Sequence, residues 1–170
     1  ILIDHHQNPA PFADIVISET WRGSVGEMIY ELIVDLGSKD QIDNDIATSL
    51  YVAIITDTGN FRYSSSYPVV FHIVGELMHY GIEKDKIFTN VYDSYSENRM
   101  KLMGYCMLEK MIIHKEYGTS YISITEEELD RFNHQIGDTE GFVNIPFSIA
   151  GIKFTALFIE KKGHVKISFR

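Results

Sequence analysis

The sequence predicts an α/β protein in two units: a helix-rich α/β part over residues 1–95 and a small α+β part over residues 111–170, joined by a linker helix at 96–110. Three observations carry this expectation. Near the amino end, short apolar runs alternate with segments whose apolar residues recur every three or four positions, the pattern of strands followed by helices. Past residue 110 the period drops to two, with glycine-containing turns between the runs. Between these regions Met100, Met103 and Met107 line one side of a helical stretch, spacing that suits packing. A chain of 170 residues, 45% apolar and 12% aromatic, can bury a core and is poorly suited to disorder.

Taken in order, Ile1-Leu2-Ile3 reads as a strand covered on both faces, and Ala13 to Ser18 as a second strand. Ser24 and Glu27 have capping-box spacing, ahead of a helix whose inward face would hold Val25, Met28, Ile29, Leu32, Ile33 and Leu36. Gly37 would stop it. Asp43 is placed to cap a helix through Ile55 with Ala47, Leu50, Tyr51 and Ile54 inward. Ser66 and Pro68 open another, closed by Gly81, and a shorter helix covers Asp85 to Tyr92. In the second part, 110–115 and 119–124 form a hairpin about Tyr117-Gly118. Thr125 with Glu128 caps a short helix to Phe132, and 153–159 with 165–169 form a second hairpin turning at Lys161-Lys162-Gly163.

Charge and composition narrow the function. With 24 acidic and 15 basic residues, net charge −9, the chain is unsuited to coating long nucleic acid by general attraction, though not to a short phosphorylated ligand held by metal ions. The longest apolar run, Leu50 to Ile55, is too short to cross a bilayer, so no membrane partner is expected. The single cysteine, Cys106, excludes an internal disulfide and a cysteine-rich zinc site, and suits the reducing cytoplasm; on its helix it reads as a small core residue.

Two clusters carry chemistry. Asp4-His5-His6 follows the first strand at its carboxyl end, where open α/β sheets place ligands. Two imidazoles and a carboxylate can hold a divalent metal, the carboxylate orienting a ring through its second N–H; a surface His-His pair in a turn is the plainer alternative. Thr56-Asp57-Thr58-Gly59-Asn60-Phe61-Arg62-Tyr63 follows the second buried run, and Asp57 there can be a ligand or simply a turn former. Arg62 could reach a phosphate or pair with a helix. One imidazole and one carboxylate are too few for a catalytic metal, which commonly has three protein ligands.

ILIDHH, with ITDTGNFRYSS about fifty residues later, resembles the DHH phosphoesterases, specifically the group with a DHHA1 domain. Within that group the resemblance is to bifunctional oligoribonuclease and PAP-phosphatase enzymes, often labelled exopolyphosphatase-related. SYSENRMKLMG and GDTEGFVNIPFSIAGIK extend it through the second unit. It implies the carboxyl-terminal part of a DHH-type parallel-sheet domain followed by the amino-terminal portion of a DHHA1-like substrate domain. It further implies a two-metal phosphodiesterase or phosphatase, usually with Mn²⁺ (Mg²⁺ and Co²⁺ being alternatives). His5 and Asp57 would be metal ligands, His6 would act beside the scissile phosphate, and Asp4 would mainly orient its neighbours. Asn60, Arg62 and Arg170 would face the nucleotide. Substrates would be short RNA or DNA oligonucleotides and small nucleoside bisphosphates, and a homodimer stays open. An exopolyphosphatase or pyrophosphatase, or a non-catalytic nucleotide-binding module, are the competing expectations. That group's Asp-x-Asp motif is missing ahead of DHH (Asp43-Asn44-Asp45 has the spacing but lies on the wrong side of it) and its Gly-Gly-Gly-His motif does not occur, so the chain reads as an internal fragment of a longer enzyme.

Overall fold

The computed structural model describes residues 1–63 and 68–170, which form two compact units, Ile1–Asp93 and Ser94–Arg170. The first begins with β1 (Leu2–Asp4) and β2 (Val16–Ser18), paired in parallel with Ile3 opposite Ile17. Four helices follow: α1 (Val25–Asp35), α2 (Asn44–Asp57), α3 (Pro68–Met78) and α4 (Lys84–Tyr92). The expected start of α3 at Ser66 lies outside the described residues.

β1 is not covered on both faces as expected. Its residues are half-buried and Ile1 is exposed, and among the described residues β2 is the one strand paired with it. The expected inward face of α1 holds at Met28, which is buried, and at Ile29 and Ile33, which pack against the core, but the buried side extends beyond it. Gly26, Glu27, Met28 and Tyr30 are buried, whereas Leu36 is exposed. The reason lies in the crossing of α1 and α2. A Cβ on Gly26 would stand 3.0 Å from the Ala53 Cβ and 3.1 Å from the Leu50 carbonyl oxygen, so the helices meet at the missing side chain. α1 ends where expected, with the Gly37 N–H donating to Val34 O and the Ser38 N–H to Ile33 O.

α2 is the central helix. Asp43 caps it by accepting from the Ile46 N–H at 2.9 Å, and Ala47, Leu50, Tyr51, Ile54 and Ile55 are buried. They meet Val70, Ile73 and Leu77 of α3, and Ile87 of α4. Burying each large aliphatic side chain stabilises the unit by about 1.5–3 kcal/mol. This packing sets the position of the carboxyl end of α2, and therefore of Asp57.

In the second unit α5 (Glu97–Tyr105), capped by Ser96, continues through a π-type turn, Cys106–Lys110, into β3 (Met111–His114). Next come β4 (Thr119–Ile124), α6 (Glu126–Arg131), a 3₁₀ stretch at Phe142–Ser148, β5 (Phe154–Lys161) and β6 (His164–Phe169). The sheet order is β3-β4-β5-β6, with β4 and β5 parallel and both outer pairs antiparallel. The helix expected as a linker packs into this unit. Leu102 and Cys106 are buried with Ile122, Ile124, Leu129, Phe142, Leu157 and Ile159, and Met103 and Met107 pack on that core. Met100, the first of the Met stripe, is exposed instead. Arg99 ties the Gly-rich segment to α5 by donating from Nη1 to Gly137 O (2.8 Å) and from Nη2 to Glu140 O (2.7 Å).

Candidate active site

β1 ends at Asp4, so the next two residues leave the parallel pair at its carboxyl end, and the two imidazoles take different environments there. His5 turns inward, its side chain 15% exposed, and His6 turns out at 76%. Their rings meet edge to face, with centroids 4.5 Å apart.

Asp4 serves His6. Its Oδ1 accepts from the His6 N–H at 3.1 Å and contacts His6 Nδ1 at 2.8 Å. These hydrogen bonds hold the Asp4 carboxyl below the ordinary carboxylate range. The carboxylate therefore orients the exposed imidazole, not the inward one.

His5 is oriented by a group the sequence did not suggest. Its Nδ1 lies 3.1 Å from the backbone carbonyl oxygen of Arg22. A carbonyl only accepts, so Nδ1 carries the proton in this contact. Nε2 then faces Asp57 Oδ2 at 3.5 Å. A neutral imidazole in that tautomer presents a lone pair to a carboxylate oxygen, and two acceptors this close are reconciled by a shared proton or a bound cation. One nitrogen and one oxygen donor fit a first-row divalent ion. Among the described residues no group of three or more His, Cys, Asp or Glu side chains gathers at metal-binding distance, so these residues offer a two-donor site.

Asp57 is the last residue of α2 and is 44% exposed. The turn after it is tightly made. Thr58, fully buried, donates from Oγ1 to Ile54 O (2.7 Å) and accepts from the Phe61 N–H (3.0 Å), while its carbonyl accepts from the Tyr63 N–H (2.8 Å). Gly59, Asn60 and Phe61 all have positive φ (55°, 56° and 66°), a costly state for a bulky residue such as Phe61. Asn60 and Arg62 are exposed. The Arg62 guanidinium lies 5.3 Å from the Tyr63 ring centre and, among the described residues, forms no ion pair.

Arg170 belongs to the second unit. Its backbone pairs with Thr155 in both directions at 3.0 Å, and its Nη1 donates to Phe169 O. Arg22 is the site residue that sequence reasoning missed. Its only signal is an arginine shortly before the Ser24 cap, with Glu19 and Glu31 as nearby acids.

No family model matches the chain. The crystal structure of an exopolyphosphatase-related protein from Bacteroides fragilis superposes with a TM-score of 0.94 at 40% identity, covering 99% of this chain and 50% of that one. The bifunctional oligoribonuclease and PAP phosphatase NrnA of Bacillus subtilis is 28% identical over 170 residues, 99% of this chain and 53% of its own length. The protein of the same name from Thermus thermophilus is 26% identical over 170 residues, 100% of this chain and 50% of its own. The chain spans about half the length of the curated relatives it matches. These similarities agree with the resemblance carried by DHH and DTGNFRY. No described helix is long and apolar enough to cross a membrane.

Proposed function

We propose that the chain carries part of the active site of a metal-dependent phosphoesterase that hydrolyses short oligonucleotides and small nucleoside bisphosphates such as PAP. The observation that carries this reading is the approach of His5 Nε2 to Asp57 Oδ2 with Nδ1 already committed to a carbonyl. The names of the Bacillus subtilis and Thermus thermophilus relatives support the substrate class. His5 and Asp57 would hold one divalent ion, manganese being the one expected, and polypeptide other than the described residues would supply the remaining donors. Such an ion supplies an acidified water and charge stabilisation at the phosphoryl oxygens. Ionised Asp4 holds His6 at Nδ1 and leaves Nε2 turned to solvent, a disposition suited to moving a proton at the leaving oxygen.

Likeness to the exopolyphosphatase-related protein supports a second reading, hydrolysis of polyphosphate. Initial rates on a diadenylate, on PAP and on long polyphosphate, with and without Mn²⁺, measured on the polypeptide that carries all the metal donors, separate the two; the described residues alone, with two donors, should turn over poorly. The first reading expects metal-dependent turnover of the diadenylate and PAP. Turnover of polyphosphate alone would overturn it, as would chelator-resistant activity.

A further inference from the structure

We propose that Arg22 is the positioning residue of this site: its doubly anchored guanidinium fixes its own backbone carbonyl on His5 Nδ1, and this selects the His5 tautomer that leaves Nε2 for a metal. The proposal rests on the metal reading above and names a residue outside the DHH and DTG motifs.

Arg22 sits in the short connection between β2 and α1. Its N–H donates to Glu19 O at 3.1 Å, closing a turn, and its Nε closes the same turn again on Glu19 Oε2 at 2.8 Å. The other side of the fork reaches α1, with Nη1 donating to Glu31 Oε1 at 3.0 Å and Nη2 to Glu31 Oε2. The planar guanidinium also lies 4.0 Å from the centre of the Trp21 ring. Its side chain is only 10% exposed, so these partners are made in a partly dry setting where they count for more than at an open surface. Burial alone would lower the Arg22 pKa, but hydrogen bonds from Glu19 and Glu31 raise it on balance, so the charge persists.

The connection is fastened at its far end too. Ser24 caps α1 by accepting from the Glu27 N–H, and buried Glu27 accepts from the Ser24 hydroxyl at 3.4 Å. Arg22 O is thus held between two fastened points and cannot easily turn from His5. A lysine keeps the charge but cannot span Glu19 and Glu31 with a rigid fork. This arrangement does for His5 what a carboxylate does in many metal sites, holding one ring nitrogen so that the other is presented.

The test uses ¹⁵N-histidine-labelled protein that carries all the metal donors, prepared without metal and kept at mildly alkaline pH, with the His5 ring signals identified by difference from His5→Gln. Long-range ¹H–¹⁵N spectra of the native protein should show one tautomer, protonated at Nδ1. Arg22→Ala and Arg22→Lys should both shift His5 toward the Nε2-protonated form, and Glu31→Gln, which retains Arg22, should do so to a smaller degree. Mn²⁺ affinity should fall about 10- to 100-fold in Arg22→Ala and Arg22→Lys. If Arg22→Ala does not fold, Arg22→Lys and Glu31→Gln decide. An unchanged tautomer in variants that fold overturns the proposal. A native protein that holds the Nδ1–H tautomer but binds no Mn²⁺ would overturn the metal reading while leaving Arg22 as the residue that orients His5.

Discussion

His5 Nε2 stands 3.5 Å from Asp57 Oδ2, and the two residues reach this distance from opposite ends of the first unit's architecture. His5 leaves the carboxyl end of a two-stranded parallel pair, whereas Asp57 ends α2, whose inward face packs in the unit's core. Neither side chain chooses its position locally. The imidazole depends on the Arg22 connection, and the carboxylate on the packing of α2 against α3 and α4.

The two adjacent histidines should separate by experiment. His5→Ala removes the inward donor, so Mn²⁺ affinity should fall sharply. His6→Ala leaves His5 and Asp57 in place, so metal should stay bound while turnover drops on the order of 10²-fold or more. Calorimetry with Mn²⁺ beside kcat on a diadenylate checks this. Equal loss of metal in both variants would reassign the pair.

The turn after Asp57 should tolerate little change. A Cβ on Gly59 would meet the Tyr63 ring at 2.6 Å, and its φ of 55° disfavours any L side chain. Gly59→Ala should therefore destabilise the protein by roughly 1–3 kcal/mol, measured by urea denaturation. It should also weaken Mn²⁺ binding through Asp57. Native stability in Gly59→Ala would show that the turn carries no strain.

Acid should weaken the second unit through Glu128. Burial alone would raise its pKa, but hydrogen bonds from Lys110, the Thr125 N–H and the Tyr105 hydroxyl bring it down to about 2. A carboxyl depressed on folding contributes stability above its ordinary pKa and loses it as pH falls toward the folded value. That contribution should fade between about pH 4.5 and pH 2. Glu128→Gln should cost about 1–3 kcal/mol at pH 7 and flatten the acid limb of a pH–stability profile. A profile unchanged by the substitution would mean the cluster is solvated.

Cys106 should be chemically silent in the native state. It is fully buried in the second core, and burial, with the Glu128 charge adding to it, pushes its thiol up to about 12. A thiolate is the reactive form, so a disulfide reagent should label it only after denaturant is added. Rapid labelling of the folded protein would show that this core opens readily.

Arg170→Ala should leave stability within about 0.5 kcal/mol, since its guanidinium contacts an adjacent carbonyl at an exposed position. If the residue holds a remote phosphate, KM for a diadenylate should rise several-fold with Mn²⁺ affinity unchanged. Kinetics identical to the native protein's would remove Arg170 from the site.

Much of the secondary structure was legible because its signals are local. Asp43 and the Thr125–Glu128 box each occupy the cap predicted from short spacings. The inward residues of α2 also follow directly from helical spacing, because its apolar stripe meets the core while Asn44, Asp45, Ser49 and Thr56 face solvent. Ser24 caps α1, but Glu27 is drawn into a buried position beside the Ser24 hydroxyl, and burial raises its pKa despite the Arg22 charge. That outcome depends on what surrounds the first turn, which spacing does not encode.

The amino-acid order by itself determined that two imidazoles follow a strand and that Asp57 comes just after the longest apolar run. Which imidazole turns inward was a tertiary decision. Adjacent residues leaving a strand point to opposite sides, and on one of them the Arg22 carbonyl and Asp57 meet the two ring nitrogens of His5. Tertiary packing likewise brought α2 against α1 at Gly26 and exposed Leu36, and it drew the helix at residues 97–105 into the second core. The physical reason is common to all three. Periodicity states which side chains can share a face, whereas the neighbour that covers a face, or the carbonyl that fixes a ring, comes from residues distant along the chain.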